Sequence, residues 1–206
     1  ITPPIRFCEE SCGQPENIMH DIEPYYNWLK YYDSSQDERS PFFGKDYNYE
    51  RYQDTIYGFF VDPGWDSFES ETLYLKILYA DYDTGYAVIE FLGEWNDTLN
   101  NDIMHLKRNV IELLLEEGIT RFILIGENIL NFHGSDDSYY EEWFDEIDDG
   151  WIAAVCFPEF VQQEFQKYHL DRYINMGELL QLNNWRTHRP EYFCEIVSRL
   201  VTKRLP

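Results

Sequence analysis

Leu73-Tyr74-Leu75-Lys76-Ile77-Leu78-Tyr79 and Tyr86-Ala87-Val88-Ile89-Glu90-Phe91-Leu92 stand on either side of Asp81-Tyr82-Asp83-Thr84-Gly85. Both flanking runs are apolar and rich in β-formers, and the connection is short and contains Gly, so the unit reads as an antiparallel hairpin. Downstream the apolar period changes to 3.6. Ile103, Leu106, Val110, Leu113 and Leu114 predict the inner stripe of a helix over 97–117, with Lys107, Arg108, Glu112 and Glu116 towards water. Asp97 or Thr98 is placed to cap that helix, and Gly118 to end it in the left-handed conformation. Phe122-Ile123-Leu124-Ile125 then predicts a buried strand, 137–147 a helix burying Tyr140, Trp143, Phe144 and Ile147, and Trp151 to Phe157 another apolar strand. A helix from Pro158, an edge strand around Tyr173 to Met176 and a last helix from Pro190 complete the order.

A hairpin followed by alternating helices and strands gives an α/β fold: a mixed β-sheet with an antiparallel N-terminal hairpin and β-α-β units. Right-handed crossovers place the loops after Leu92, Ile125 and Phe157 along one edge of the sheet, where α/β proteins most often bind ligands. Residues 55–206 read as one domain, opening with a strand over Thr55 to Val61. Residues 1–54 are polar, Pro-punctuated and Tyr-dense, with one predicted helix from Pro24 that aligns Tyr25, Trp28, Leu29 and Tyr32. Such an extension cannot make its own core, so it is expected to wrap the domain or to grip a partner.

The formal net charge of −23 repels phosphate backbones and anionic lipid, which argues against nucleic-acid binding and leaves a protein with a basic surface as the natural partner. Aromatics at 18% exclude a disordered acidic tail. No run reaches the length of a transmembrane helix, and Ile1 to Arg6 lacks the layout of a secretory signal, so a cytoplasmic location is the expectation. Cys156 and Cys194 fall on apolar stretches and read as reduced core residues, whereas Cys8 and Cys12 make at most half of a zinc site. The Asp81-x-Asp83 pair fails as a calcium loop, because Gly85 and Leu92 occupy positions that need ligands. Dinucleotide, phosphate-loop, nucleophile-elbow and His-Glu-x-x-His signatures are missing, and no cofactor is implied.

The stretch from Gly126 to Asp137 reads as a loop leaving the carboxyl end of a buried strand and returning at a helix N-terminus. Glu127, Asn128 and His133 are its candidate ligand contacts. Ser135 or Asp136 is suited to capping the helix, and Ser135 is also a hydroxyl open to phosphorylation, opposed by the charges of Asp136 and Asp137. From Asp136 to Asp149 there are eight carboxylates and no cation, with Glu142 and Glu146 one helical turn apart. That face can dock a basic partner, with Glu142 and Glu146 as contacts, or its paired carboxylates can hold Mg²⁺ or Ca²⁺ in an enzyme. At the other end Arg186, His188, Arg189, Arg199, Lys203 and Arg204 collect, a basic group suited to helix-dipole complementation or to pairing with acidic residues.

The order of elements resembles the STAS fold of anti-sigma-factor antagonists over about Thr72 to Tyr168. Its markers are Phe91-Leu92-Gly93-Glu94, where that family has a strand followed by Gly, and Gly134-Ser135-Asp136-Asp137, where it has an Asp-Ser-Ser-Gly phosphosite. The resemblance implies a STAS-like sandwich and a non-catalytic, regulatory protein-interaction module presenting its second helix and the preceding loop. An accessory subunit of a larger assembly, held through residues 1–54, is the remaining alternative.

Overall fold

The computed structural model describes residues 21–50 and 54–203; Cys8, Cys12 and Arg204 lie outside them. Three short strands come first: β1 (Asp21–Ile22), β2 (Thr55–Ile56) and β3 (Phe59–Val61), arranged β1-β3-β2. The single strand expected over Thr55 to Val61 is therefore two. Tyr57 and Gly58 both have positive φ, 50° and 84°, the backbone that a two-residue hairpin turn demands, and the chain folds back on itself there.

The main sheet contains β4 (Leu73–Asp81), β5 (Tyr86–Asn96), β6 (Arg121–His133), β7 (Trp151–Val155) and β8 (Ile174–Asn175), in that spatial order. β4 and β5 are antiparallel and every later pair is parallel, so the fold is a mixed α/β sheet. Among the described residues five α-helices accompany it: α1 (Asp102–Leu106), α2 (Glu112–Glu116), α3 (Ser138–Glu146), α4 (Glu159–Lys167) and α5 (Pro190–Thr202).

Because each parallel crossover advances to the next strand in the same direction, the connecting helices fall on one face. There Leu106, Val110, Leu114, Trp143, Val161 and Phe165 bury the sheet residues Ile77, Ile89, Phe91, Phe122 and Leu124. The opposite face, with Val88, Ile123, Ile125, Ala153 and Val155, is covered by Phe193, Cys194, Val197 and Val201 of α5 and by Trp28 of the N-terminal segment. Trp28 is held there by its indole N–H, which donates to the His188 carbonyl at 3.0 Å.

Two departures from simple periodicity decide where the polar side chains go. First, α1 and α2 are joined by a π-helical turn, Lys107–Ile111, so the helix begins at Asp102 and carries an inserted residue. An extra residue rotates everything after it by about a quarter turn. Ile111 and Leu114 thus become the buried pair and Leu113 turns outward to 41% exposure. Lys107, expected in water, precedes the insertion and is fully buried, one regular turn after Ile103. Second, β6 runs through the whole of Gly126 to His133, which the polar residues mark as a loop. Glu90 pairs with Ile125 and Leu92 with Asn128, then Gly93 with Ile129 and Glu94 with Asn131, so β6 accommodates an extra residue at each of two bulges. Only Gly134 to Asp137 remains as the turn into α3. The sheet edge carrying the loops accordingly lies beyond Asn96 and His133, not Leu92 and Ile125.

Candidate functional site

Since β6 continues through the expected loop, its alternate side chains leave towards opposite faces, and the candidate residues separate into three places. Glu127, at the first bulge, forms an ion pair with Arg186 on the α5 side of the sheet. Asn128 is a ladder residue, paired with Leu92. His133 ends β6 at an open cavity of about 380 Å³ lined also by Thr98, Asn131, Phe160 and Lys167, with its Nε2 2.9 Å from the Asn131 side-chain amide. The N-cap of α3 is Asp137, not Ser135 or Asp136, and no side chain caps it. Asp136, one residue earlier, makes a local turn instead: its Oδ1 accepts from the Ser138 N–H at 3.1 Å and from the Ser138 hydroxyl at 2.5 Å, and these bonds hold its carboxyl below the usual aspartate range. Ser135 sits half-buried in the same turn.

Glu142 and Glu146 are not free docking contacts. The buried ammonium of Lys107 lies 3.0 Å from Glu142, 2.9 Å from Glu146 and 3.1 Å from Glu112. Arg108 closes the outside of the cluster, 3.0 Å from Glu142 and also paired with Glu112. Burial drives the lysine towards neutrality, but the bonds to Glu146, Glu142 and Glu112 outweigh it and hold its pKa above the usual value. Lys107, four residues after the buried Ile103 and so on the inner face of the helix, thus commits the inner row of α3 carboxylates to clamping α3 onto α1 and α2.

The outer row differs. Glu141, Asp145, Asp148 and Asp149 are exposed, and among the described residues no cation lies within ion-pair distance of them. Phe144, expected in the buried stripe, instead stands among them at 41% exposure, leaning on Tyr173 with ring centroids 5.9 Å apart. The described residues contain no group of three or more His, Cys, Asp and Glu side chains placed to hold a metal ion.

Two polar clusters outside the candidate residues lie within the fold. Glu90, fully buried in β5, accepts from the Tyr25 N–H at 2.9 Å and from Arg186 at 3.4 Å. Burial pushes its pKa up to about 7 against the opposing pull of those two donors. Arg186 rests on Trp185, 4.5 Å from the ring centre, and bridges Glu90 to Glu127. Cys156 lies beside this group with φ of 56°, its thiol pushed up to about 11 by burial and then by Glu127, which makes it a poor nucleophile.

The second cluster ends β5. Asp97 accepts from the Trp95 indole at 2.9 Å, the Ile103 N–H at 2.9 Å and the Tyr140 hydroxyl at 2.7 Å, and its pKa is raised to about 7 by burial. It therefore serves the α1 first turn much as a cap would, from five residues before Asp102. Both clusters tie elements together: Glu90 and Arg186 join β5 to the N-terminal segment, and Asp97 joins β5 to α1 and α3. The sequence signal for the first is an isolated charge, Glu90, within an otherwise apolar strand and opposite Lys76, another such charge.

No protein-family model matches the chain, and no curated protein is similar to it.

Proposed function

We propose that this chain is a non-catalytic, regulatory protein-interaction module that presents the Gly134 to Asp137 turn and the outer edge of α3 to a partner with a basic surface, in the manner of a STAS-like domain. The observation that carries the reading is the division of α3 into two rows. Its inner carboxylates are neutralised by Lys107 and Arg108, whereas Glu141, Asp145, Asp148 and Asp149 face solvent, without a cation among the described residues, around the half-exposed ring of Phe144. An apolar anchor rimmed by charges of one sign is how an interface combines affinity with steering of an oppositely charged partner. The element order, a hairpin followed by parallel strands with their helices on one face, supports the STAS-like reading.

The test is capture of binding proteins from native lysate by the parent chain and by the variants Asp145→Lys/Asp149→Lys and Phe144→Ser. Loss of the same captured protein in both, with melting curves within about 2 °C of the parent, is the expected result. Recovery unchanged in both variants would mean that α3 is an ordinary solvated helix.

A further inference from the structure

Residues 24–32 lie across the second sheet face as a strap. Among the described residues, one backbone group of this strap bonds outside it: the Tyr25 N–H, which donates to Glu90 at 2.9 Å. Side chains supply the rest of its described hold. The Tyr25 hydroxyl donates to the Arg186 carbonyl and the Trp28 indole to the His188 carbonyl, and both rings pack edge to face on Trp185. A segment held in this way, with no ladder of its own, can open locally while the sheet beneath it stays folded.

The strap closes over a charge imbalance. Glu90 and Glu127 both reach the guanidinium of Arg186, the single cation within ion-pair distance of either among the described residues. The other titratable groups around Glu90 bring no second positive charge. From β4, Lys76 stands opposite Glu90 in the ladder, but its ammonium is turned to Asp66, 3.2 Å away, and to the Tyr47 hydroxyl at 2.6 Å. From β7, Cys156 stays a neutral thiol, pushed up to about 11 by burial. The strap itself brings the phenol of Tyr25, whose proton is given to a carbonyl. Two carboxylates on one guanidinium leave a negative charge uncompensated, which is costly wherever water is excluded. The side chains of Glu127 and Arg186 are 27% and 39% exposed, whereas that of Glu90 is at 0%. Glu90 is therefore the carboxylate that gains by taking up a proton, and its unprotonated oxygen can still accept from the Tyr25 N–H.

We infer that the strap is a proton-linked latch: closing residues 24–32 over the sheet takes up one proton on Glu90, and losing that proton loosens the strap. Burial raises the Glu90 carboxyl from its ordinary 4.5 to about 7 in the closed chain, in keeping with the charge count. With the strap open, water reaches Glu90 and the ordinary value returns. Arg186 keeps its charge throughout. Closure gains in full from the proton below the ordinary 4.5, and the gain is lost as pH rises through about 7. Between about pH 5.5 and pH 8 the closing constant falls about 25-fold. The latch is separate from the α3 edge and does not depend on the function proposed for it.

The experiment follows amide exchange of the full chain by mass spectrometry, in peptides covering the strap and β7, from about pH 5.5 to about pH 8. Observed rates are divided by the intrinsic rate at each pH, so that the protection of the bonded amides of Tyr25, Leu29, Tyr31 and Tyr32 reports the closing constant alone. The expected result is protection that stays below that of β7 and falls about 25-fold across the range. Glu90→Gln keeps the acceptor for Tyr25 and should leave strap protection level to within about twofold, whereas Asp97→Asn should fall as the parent does. Glu127→Gln leaves Arg186 to Glu90 alone and should move the fall to lower pH, which keeps the test open if Glu90→Gln misfolds. A fall that persists in Glu90→Gln, or is unmoved in Glu127→Gln, would place the proton elsewhere and overturn the inference. So would protection independent of pH in the parent, or strap amides that exchange only together with those of β7.

Discussion

Removing Glu142 and Glu146 as Gln, both together, strips the buried Lys107 of two of its three carboxylates. At 3.0 and 2.9 Å each pair has a gross attraction of about 5 kcal/mol at an effective dielectric of about 20. The two glutamates are 36% and 41% exposed, so water screens most of that, and about 1 kcal/mol per pair is the reasonable net. The ammonium itself is fully enclosed and keeps only Glu112, which adds a desolvation penalty and brings the expected loss to about 3 kcal/mol. For a chain of this size that lowers the melting temperature by roughly 6–12 °C. The partner measurement is Asp145→Asn/Asp149→Asn, an identical change in net charge at the outer side of α3, expected within about 0.5 kcal/mol of the parent. Urea unfolding of all three proteins at one pH and ionic strength decides the matter. If the inner and outer pairs prove equally harmless, Lys107 does not depend on α3, and the division of that helix into a clamping row and a presenting row is wrong.

Stability should fall as pH rises from about 4 to about 7, because Glu90 and Asp97 have ordinary values of 4.5 and 3.8 that burial raises to about 7 in the folded chain. Over that interval the folded state holds protons that the unfolded state has released, which corresponds to a loss of several kcal/mol across the window. Urea midpoints between pH 5 and 8 should show it, and Asp97→Asn, which keeps the acceptor for Trp95 and Ile103, should flatten the profile; a profile that rises with pH would refute the assignment. Below about pH 4 the slope should reverse as Glu142, held low first by its bond to Lys107, takes up a proton. Gly93→Ala should lose several kcal/mol, since a Cβ there meets the Thr72 carbonyl oxygen at 2.1 Å and φ is 122°; calorimetry showing a drop of under about 1 kcal/mol would mean that the strand edge yields.

The architecture is legible in the sequence because its strands announce themselves: Leu73 to Tyr79, Tyr86 to Leu92, Phe122 to Ile125 and Trp151 to Val155 are apolar runs of strand length, and all are strands. Periodicity fails where the backbone is irregular. A π turn adds one residue, and a pattern read at 3.6 per turn cannot register that, so it sends Leu113 into the core; Lys107, before the insertion and one turn from Ile103, is misread for its charge alone, since a lysine is expected in water. The β6 bulges mislead for a related reason. Gly126-Glu127-Asn128 is polar because one residue there bulges and another reaches Arg186, yet polarity beside Gly reads as a turn. The acidic helix itself is plain in the sequence. Which of its carboxylates face inward is not, because that depends on a cation 35 residues earlier in the chain.

The covering of the second sheet face by the N-terminal segment bears on how the chain assembles. Two of its fastenings span most of the sequence: Trp28 to His188 and Tyr25 to Arg186 are 160 and 161 positions apart. Every neighbouring pair in the main sheet, by contrast, is consecutive along the chain. During synthesis the sheet can therefore zip in order from the hairpin onwards, while Trp28 waits, its ring uncovered, until the segment that carries Trp185, His188 and Phe193 has emerged. The closing of that face is the last step available to the chain and the one with the largest loop to close. A segment made before any strand of the main sheet is thus the last to find its place.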